Sequence, residues 1–272
     1  MKTNRVREML QAAEPTVGCF LGLGSPNLAE LMAHVGFDWI VVEAEHTPLG
    51  PAEIERILMA MSGADTVPLV RLLKADPFLI QQTLDMGALG VVVPMVRNAE
   101  EAKAVVDACR YPPQGTRGFG PLRATHYLLD MEDYFAKANE NIIVALIIEN
   151  KEAVQNLEAI ANVPGVDVLI FGPFDCCLSM GLDPMRQPYP EIEKVMQRML
   201  AIGRECGVAC GIHAWSPEEA QQRLVEGYTF LSYSTDIRLL TTAAQAGLAA
   251  FRQGVQLQRE KQGLYTRVQS KS

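Results

Sequence analysis

With 272 residues, 49% hydrophobic and 21% charged, the chain is long enough to bury a large core as one large domain or two small ones. Its net charge of −8 argues against nucleic acid and anionic membranes as partners, although a local site for a small anion stays compatible with it. The sequence has no apolar run of the ~20 residues that a membrane span needs, and residues 1–15 carry scattered charges, so we expect a cytoplasmic protein without a signal peptide.

The cysteines favour a reduced protein without zinc. The six cysteines form no C-x-x-C pair. Cys206 and Cys210 are four residues apart, but no second cysteine or histidine pair stands at a zinc-binding interval from them. We therefore expect free, buried thiols.

Short apolar runs alternate with longer amphipathic runs along the chain. In chain order they predict a helix at 4–13, a strand at 16–23, a helix at 29–35, a strand at 38–42, a helix at 52–61, a strand at 67–70, a helix at 77–85, a strand at 90–93, a helix at 99–109, a helix at 131–138, a strand at 143–148, a helix at 152–161, a strand at 166–171, a helix at 192–206, a strand at 208–212, a helix at 217–226, a strand at 230–233 and a helix at 239–259. Residues 111–121 are too rich in glycine and proline for regular structure. Arg117 in this excursion and Arg123 just after it are candidate anion-binding side chains.

Eight strands alternating with helices belong to the α/β class. At this length they predict a (β/α)8 TIM barrel that forms a single domain over residues 1–272. The main alternative is an open, doubly wound sheet that binds a dinucleotide. No G-x-G-x-x-G motif follows the first strand, so we favour the barrel.

Ionisable residues directly follow several of the predicted strands. In a barrel, the carboxyl ends of all strands meet at one mouth, where barrel enzymes have their active sites. The apolar run at 39–42 leads straight into an acid–acid–histidine cluster, which otherwise would be a polar loop capping the next helix. The polar residues predicted at the mouth are Ser25, Glu43, Glu45, His46, Arg71, Glu149, Asp175, His213, Ser234 and Asp236.

Glu149 and Asp175 are the candidate metal ligands. They follow neighbouring strands, and several acids at one mouth require compensation that a divalent cation would supply. Two carboxylates without cysteine suit a hard ion such as Mg²⁺ or Mn²⁺. The alternative is that each carboxylate caps the helix that follows it.

His46 is the candidate general base, and Glu43, three residues earlier, is expected to orient its imidazole. Arg71 is always charged and would stabilise a carboxylate or a developing oxyanion. Its alternative role is a salt bridge to one of the acids at the mouth, and the two roles are compatible.

Other reaction classes lack their residues. No lysine ends a strand at the mouth, with Lys74 the nearest, so a Schiff-base mechanism is disfavoured. The sequence contains neither a G-x-S-x-G elbow nor a P-loop, which argues against a serine hydrolase and a nucleotide kinase.

Several segments together resemble the HpcH/HpaI family of metal-dependent, class II pyruvate aldolases. The likeness runs from about Arg5 through the last helix, and the motifs are specific as a set. The segments that carry it are Trp39 with EAEHTP at 43–48, VR at 70–71, LDMGA at 84–88, VPMV at 93–96, YPP at 111–113, GTRG at 115–118 and GPFD at 172–175.

The resemblance implies roles for residues at the mouth. Glu149 and Asp175 would hold Mg²⁺, Mn²⁺ or Co²⁺, and His46 would act as the base together with the acid at 43. Arg71 would lie over the keto oxygen of the substrate. The backbone of Phe174 and Asp175 would face the pyruvate carboxylate, and we add Ser25 to the expected substrate-binding residues.

The resemblance also implies an assembly. Family members form homo-oligomers, trimers or often hexamers, in which the last helix is exchanged between subunits. Asp85 and Arg123 would then contribute across a subunit boundary.

The predicted reaction splits the C3–C4 bond of a 4-hydroxy-2-oxo acid into pyruvate and an aldehyde. One alternative is decarboxylation of an oxaloacetate-type acid through the same enolate, and another is a non-catalytic barrel that binds a 2-oxo acid. Three positions depart from the family pattern: Glu43 is usually Asp, Ile147 is commonly Gln, and Phe174 is often small. His213 is interpreted as a structural histidine.

Overall fold

The computed structural model describes residue 1 and residues 3–269, with side chains described up to residue 259. Eight parallel strands pair in sequence order and close into a barrel, which confirms the predicted (β/α)8 fold. The strands are β1 (Thr16–Leu21), β2 (Trp39–Glu43), β3 (Val67–Arg71), β4 (Gly90–Val93), β5 (Ile143–Ile148), β6 (Val168–Phe171), β7 (Ala209–Ala214) and β8 (Phe230–Thr235). The helices are α1 (Arg5–Gln11), α2 (Pro26–Val35), α3 (Pro51–Ala60), α4 (Pro77–Asp85), α5 (Ala99–Cys109), α6 (Met131–Asn141), α7 (Lys151–Gln155), α8 (Leu157–Ala161), α9 (Pro173–Ser179), α10 (Pro190–Cys206), α11 (Pro217–Glu226) and α12 (Asp236–Gln269).

The strands are apolar because helices cover the outside of the barrel and side chains fill its inside. Every residue of β2, β4, β5 and β6 is buried. Within the barrel, the rings of Trp39 and Phe230 stack with their centroids 3.9 Å apart. A side chain at Gly18 would overlap the Trp39 ring, with its Cβ 2.1 Å away, so the indole sets the residue allowed on the neighbouring strand.

The helices begin at residues that cap them. Among the described helices α1 to α12, six N-caps have side-chain oxygens that accept backbone N–H groups: Asn4, Ser25, Asp76, Asn98, Asn150 and Ser216. The predicted helix at 152–161 is instead two short helices, because Asn156 leaves helical geometry with φ −96° and ψ 13°. Helix α9 was not predicted; Pro173 starts it immediately after Gly172.

The chain divides into two compact units, one from Met1 to Ser234 and the other beginning at Thr235. The second consists of the long helix α12, which carries exposed Leu240, Leu248 and Phe251. The single-domain assignment and the exchange of this helix between subunits both stay predictions.

All six cysteines are free, as expected, and five of them are buried. In the described part of the chain, no helix is long and apolar enough to cross a membrane.

Candidate active site

Arg71 lies at the carboxyl end of β3, paired in register with Glu43 at the end of β2. Its Nη1 is 3.2 Å from Glu43 Oε2, and its Nη2 contacts Glu45 Oε2 and lies 3.7 Å from Glu149 Oε2. The side chain is only 13% exposed, and its Nε is buried without a hydrogen-bond partner among the described residues. One guanidinium therefore compensates three carboxylates and retains a donor for another oxygen.

Glu149 follows β5 and is 2% exposed. Its Oε1 accepts the N–H of Met95 at 2.7 Å. Met95 has a left-handed backbone with φ of 58°, which is uncommon for residues other than glycine. Burial raises the pKa of Glu149 to about 7, against the opposing effects of the Met95 N–H and of Arg71. The carboxylate form of Glu149 therefore needs additional positive charge near neutral pH.

Gly172 allows β6 to pass close to Glu149. A side-chain carbon at position 172 would lie 2.8 Å from Glu149 Cβ and 3.1 Å from its Oε2. Other residues can adopt the φ of −103° at this position, so backbone conformation does not require glycine. The lack of space for a side chain does. Residue 172 thus fixes where the Glu149 side chain can lie.

Asp175 lies in the first turn of α9 and is exposed. Its negative charge contributes to the raised pKa of Glu149. The pKa of Glu45 is also raised, mainly by burial, with Arg71 and His46 opposing the shift and the charges of Glu43 and Asp175 adding to it. Asp175 therefore acts electrostatically on both glutamates, while its role as a metal ligand stays a prediction.

His46 lies on the loop after β2, with 65% of its side chain exposed. The sequence led us to expect Glu43 beside its imidazole, but the structure places Glu45 there, with Oε2 3.4 Å from His46 Nε2. The Glu43 carboxylate instead accepts the backbone N–H groups of Glu45 and His46. The reason is the short loop, whose backbone turns back over the end of β2.

Two predicted substrate-binding residues lie at the ends of helices. The hydroxyl of Ser25 accepts the N–H of Leu28 at 3.3 Å and caps α2. Phe174 precedes Asp175 on α9 and is 40% exposed. Substrate contacts by either residue stay predictions.

The other residues predicted at the mouth contact their own neighbours. His213, at the end of β7, lies with Nδ1 2.8 Å from Ser232 Oγ and its ring edge-on to Trp215. Ser234 is buried, and its carbonyl accepts from a cysteine thiol. Asp236 begins α12, where its carboxylate accepts the N–H of the following residue.

Asp85 and Arg123 line one surface cavity of about 480 Å³ between α3, α4 and the excursion. Arg123 donates to backbone carbonyl oxygens of α3 and the end of α4. The prediction that Arg117 holds an anion is wrong, because its side chain is fully buried, 2.6 Å from Asp85 and stacked over Tyr111. Cross-subunit roles for Asp85 and Arg123 stay predictions.

Three contributors to the site were missed or misjudged from the sequence. Met95 acts through its backbone N–H, Gly172 through its lack of a side chain, and Glu45 through a contact made within the loop. Only the Gly-Pro pair at 172–173 was a visible signal, and it indicated a turn rather than a close approach to Glu149.

A metal ion fits the chemistry of this mouth. Among the described residues, no three His, Cys, Asp or Glu side chains form a ready-made metal cluster. The available donors are hard carboxylate oxygens, and Glu149 is held by Met95 on one oxygen only. Burial raises the pKa of Glu149, and a divalent ion held there would favour its carboxylate form.

A closed (β/α)8 barrel with acids and one arginine gathered at the carboxyl ends of its strands defines a barrel enzyme that acts on a small molecule. The chain belongs to the HpcH/HpaI aldolase/citrate lyase family, whose model matches residues 16–243. This confirms the family expected from the sequence.

Similar proteins include named aldolases. The chain is 38% identical over 264 residues to a 4-hydroxy-2-oxo-heptane-1,7-dioate aldolase of Shigella sonnei, covering 96% of this chain and 99% of the relative. It is 34% identical to a 2-keto-3-deoxy-L-rhamnonate aldolase of Salmonella gallinarum, covering 92% and 94%. A solved HpcH/HpaI family protein from Burkholderia cenocepacia superimposes with a TM-score of 0.87 and 34% identity, covering 92% and 100%. These relatives confirm the predicted enzyme class, a pyruvate-type aldolase.

Proposed function

We propose that the chain cleaves 4-hydroxy-2-oxo acids to pyruvate and an aldehyde at this mouth. The observation that carries the proposal is the arrangement around Arg71, whose guanidinium joins three carboxylates and keeps one buried donor without a partner among the described residues. Such a donor suits an oxygen on which negative charge develops. Arg71 is therefore assigned to the keto oxygen of the substrate.

Glu149 and Asp175 are assigned to a divalent ion, Mg²⁺, Mn²⁺ or Co²⁺. When bound, the ion would polarise the carbonyl of a 2-oxo acid as a Lewis acid. Buried Glu149, fixed by Met95 and confined by Gly172, supplies a directed oxygen. Exposed Asp175 supplies a second carboxylate from the first turn of α9, the helix that follows the neighbouring strand β6.

In the proposed reaction, His46 transfers the proton and Arg71 stabilises the negative charge. His46 accepts the proton of the C4 hydroxyl while the C3–C4 bond breaks, so the C4 fragment leaves as an aldehyde. The bonding electrons stay on the 2-oxo acid as its enolate, and Arg71 stabilises the negative oxygen. Return of a proton to C3 completes pyruvate and restores the base.

The substrate and the assembly are proposed more coarsely. The relatives' names include one diacid and one deoxy sugar acid, so the 2-oxo acid half is shared and the aldehyde half differs. The substrate carboxylate is assigned to the backbone at Phe174 and Asp175, and Ser25 is assigned as a further substrate-binding residue. We place the enzyme in the cytoplasm as a homo-oligomer, a trimer or hexamer, in which Asp85 and Arg123 act across a subunit boundary.

An assay with metal-stripped protein tests the proposal. After chelation the protein should release no pyruvate from 4-hydroxy-2-oxo-heptane-1,7-dioate, and Mg²⁺, Mn²⁺ or Co²⁺ should restore the release. Borohydride added with pyruvate should leave the protein mass unchanged. Full activity without metal, or a mass increase on a lysine, would contradict the proposal.

Two further outcomes of the same assay identify the alternative functions. Pyruvate release from oxaloacetate, with none from any 4-hydroxy-2-oxo acid, would indicate a decarboxylase. Pyruvate binding without turnover and without exchange of its methyl protons under any of the ions would indicate a binding protein.

A further inference from the structure

Both oxygens of the Glu43 carboxylate accept hydrogen bonds, one from its own loop and one from Arg71. Its Oε1 accepts the N–H groups of Glu45 at 2.7 Å and His46 at 3.2 Å, and its Oε2 accepts from Arg71 Nη1 at 3.2 Å. Thr47 donates its hydroxyl to the Glu43 carbonyl. Among the contacts of the described residues, the Glu43 carboxylate makes none with the imidazole of His46. Glu43 therefore fixes the loop backbone rather than the base.

Glu45 connects the rigid part of the site to the base. Its Oε2 contacts Arg71 Nη2 on one side and lies 3.4 Å from His46 Nε2 on the other. The Glu45 side chain is 15% exposed, whereas that of His46 is 65% exposed. Arg71 is itself held by Glu43 and approached by Glu149. A carboxylate anchored by Arg71 thus faces a solvent-accessible imidazole.

We propose that Glu45 is the positioning residue of His46: anchored by Arg71, its carboxylate holds the imidazole with Nε2 protonated and leaves Nδ1 to accept the substrate proton. A neutral imidazole carries one N–H, and the hydrogen bond at one nitrogen decides which nitrogen stays basic. At 3.4 Å the contact lacks hydrogen-bond geometry, and Glu45 Oε2 has no hydrogen-bond partner among the described residues; contacts of this kind often tighten only when substrate binds. This inference rests on the proposed aldolase function.

Substitution of Glu45 and substitution of Glu43 should affect the tautomer of His46 differently. In Glu45→Gln, a neutral amide oxygen replaces the anionic Oε2 that faces both Arg71 and His46, so its attraction for the Nε2–H of His46 weakens. In Glu45→Leu, no acceptor faces Nε2. In Glu43→Gln, the loop loses charge, but the Glu45 carboxylate remains beside Nε2. The tautomer of His46 therefore depends on position 45 and not on position 43.

Nitrogen-15 NMR of the full-length protein reports the tautomer without requiring turnover. At pH 9, the His46 resonances, assigned with His46→Asn, should show Nε2–H with little of the other tautomer in the wild type and in Glu43→Gln. In Glu45→Gln and Glu45→Leu, the Nδ1–H population should rise towards the mixture of an unrestrained imidazole. An unchanged tautomer in both Glu45 variants, or its loss in Glu43→Gln alone, would overturn the inference.

Kinetics separate this inference from the proposed function. Glu45→Gln should lower kcat for pyruvate release by about 100-fold with KM changed less than threefold or so, because the base is misoriented while the substrate still binds. A wild-type protein that releases no pyruvate but shows the Nε2–H tautomer, lost only in the Glu45 variants, would refute the aldolase and leave the positioning role standing. Normal kcat in Glu45→Gln would refute the positioning role alone.

Discussion

Glu149→Gln, freed of metal, is expected to be more stable than the wild type at pH 8 and to lose at least about 1,000-fold in turnover when metal is restored. The stability gain arises because the wild-type protein must bury a carboxylate whose pKa is raised to about 7 by burial. From an ordinary value of 4.5, that shift corresponds to a cost of up to about 3 kcal/mol. Glutamine keeps the shape and accepts the Met95 N–H without the charge.

The pH dependence has a definite sign. Between about 4.5 and 7, the folded protein keeps a proton on Glu149 that the unfolded chain releases, so the free energy of unfolding falls as pH rises through this window. Glu149→Gln has no carboxyl at this position, so its free energy of unfolding should not show this decrease. The stability difference between Glu149→Gln and the wild type should therefore vanish near pH 4.5. Urea unfolding in chelator across this range measures both effects.

A matched control is Glu101→Gln. Glu101 hydrogen-bonds Arg97 on the surface, and that bond chiefly lowers the pKa of its carboxyl. Its substitution removes the same charge but should confer no gain at pH 8. Equal stability of wild type and Glu149→Gln at pH 8 would contradict the assignment of Glu149 as a strained, buried carboxylate.

Arg71→Leu is expected to lose both activity and stability. The leucine leaves Glu43, Glu45 and Glu149 without their shared partner, and breaking such a buried arrangement costs about 3–5 kcal/mol. Turnover should fall about 1,000-fold, because the donor assigned to the keto oxygen is removed. Arg71→Lys keeps one charge but cannot reach all three acids, so its loss should be intermediate.

Thermal unfolding and pyruvate release at pH 8 measure these effects. Arg97→Leu serves as the control, because Arg97 is 57% exposed and paired with the surface residue Glu101. Its unfolding free energy should change by no more than about 1 kcal/mol. Arg71→Leu behaving like Arg97→Leu would remove Arg71 from the centre of the site.

The sequence predicted the fold because the barrel strands are largely buried on both faces and therefore form short apolar runs in the sequence. It misplaced details that depend on single backbone positions, such as the break at Asn156 and the helix that begins at Pro173. Strand ends were predicted well enough to bring Glu43 and Arg71 into register. The positions of residues at the strand ends could thus be predicted from the sequence.

The contacts within loops were not predictable in the same way. Whether Glu43 or Glu45 faces His46 depends on how the loop after β2 turns back on Arg71. The contribution of Met95 depends on a left-handed backbone conformation, which a methionine in the sequence does not predict. The residue types therefore pointed to the ionisable side chains around Arg71 but not to their pairings, and they gave no sign of Met95 or Gly172.

The departure at Ile147 has a structural counterpart. Ile147 is 4% exposed and packs in the core inside the barrel, and a side chain at Gly172 would meet it at 3.4 Å as well as Glu149. This position supplies apolar packing beneath Glu149 in place of an amide. It is consistent with the dominance of burial in the raised pKa of Glu149.

Titration with Mn²⁺, followed by electron paramagnetic resonance at pH 8, tests most directly whether Glu149 and Asp175 share one ion. The account predicts one tightly bound Mn²⁺ per wild-type chain, a spectrum altered by pyruvate, and affinity lowered about 100-fold or more in both Glu149→Gln and Asp175→Asn. Wild-type affinity in either variant, or a wild-type protein that binds no Mn²⁺, would contradict it.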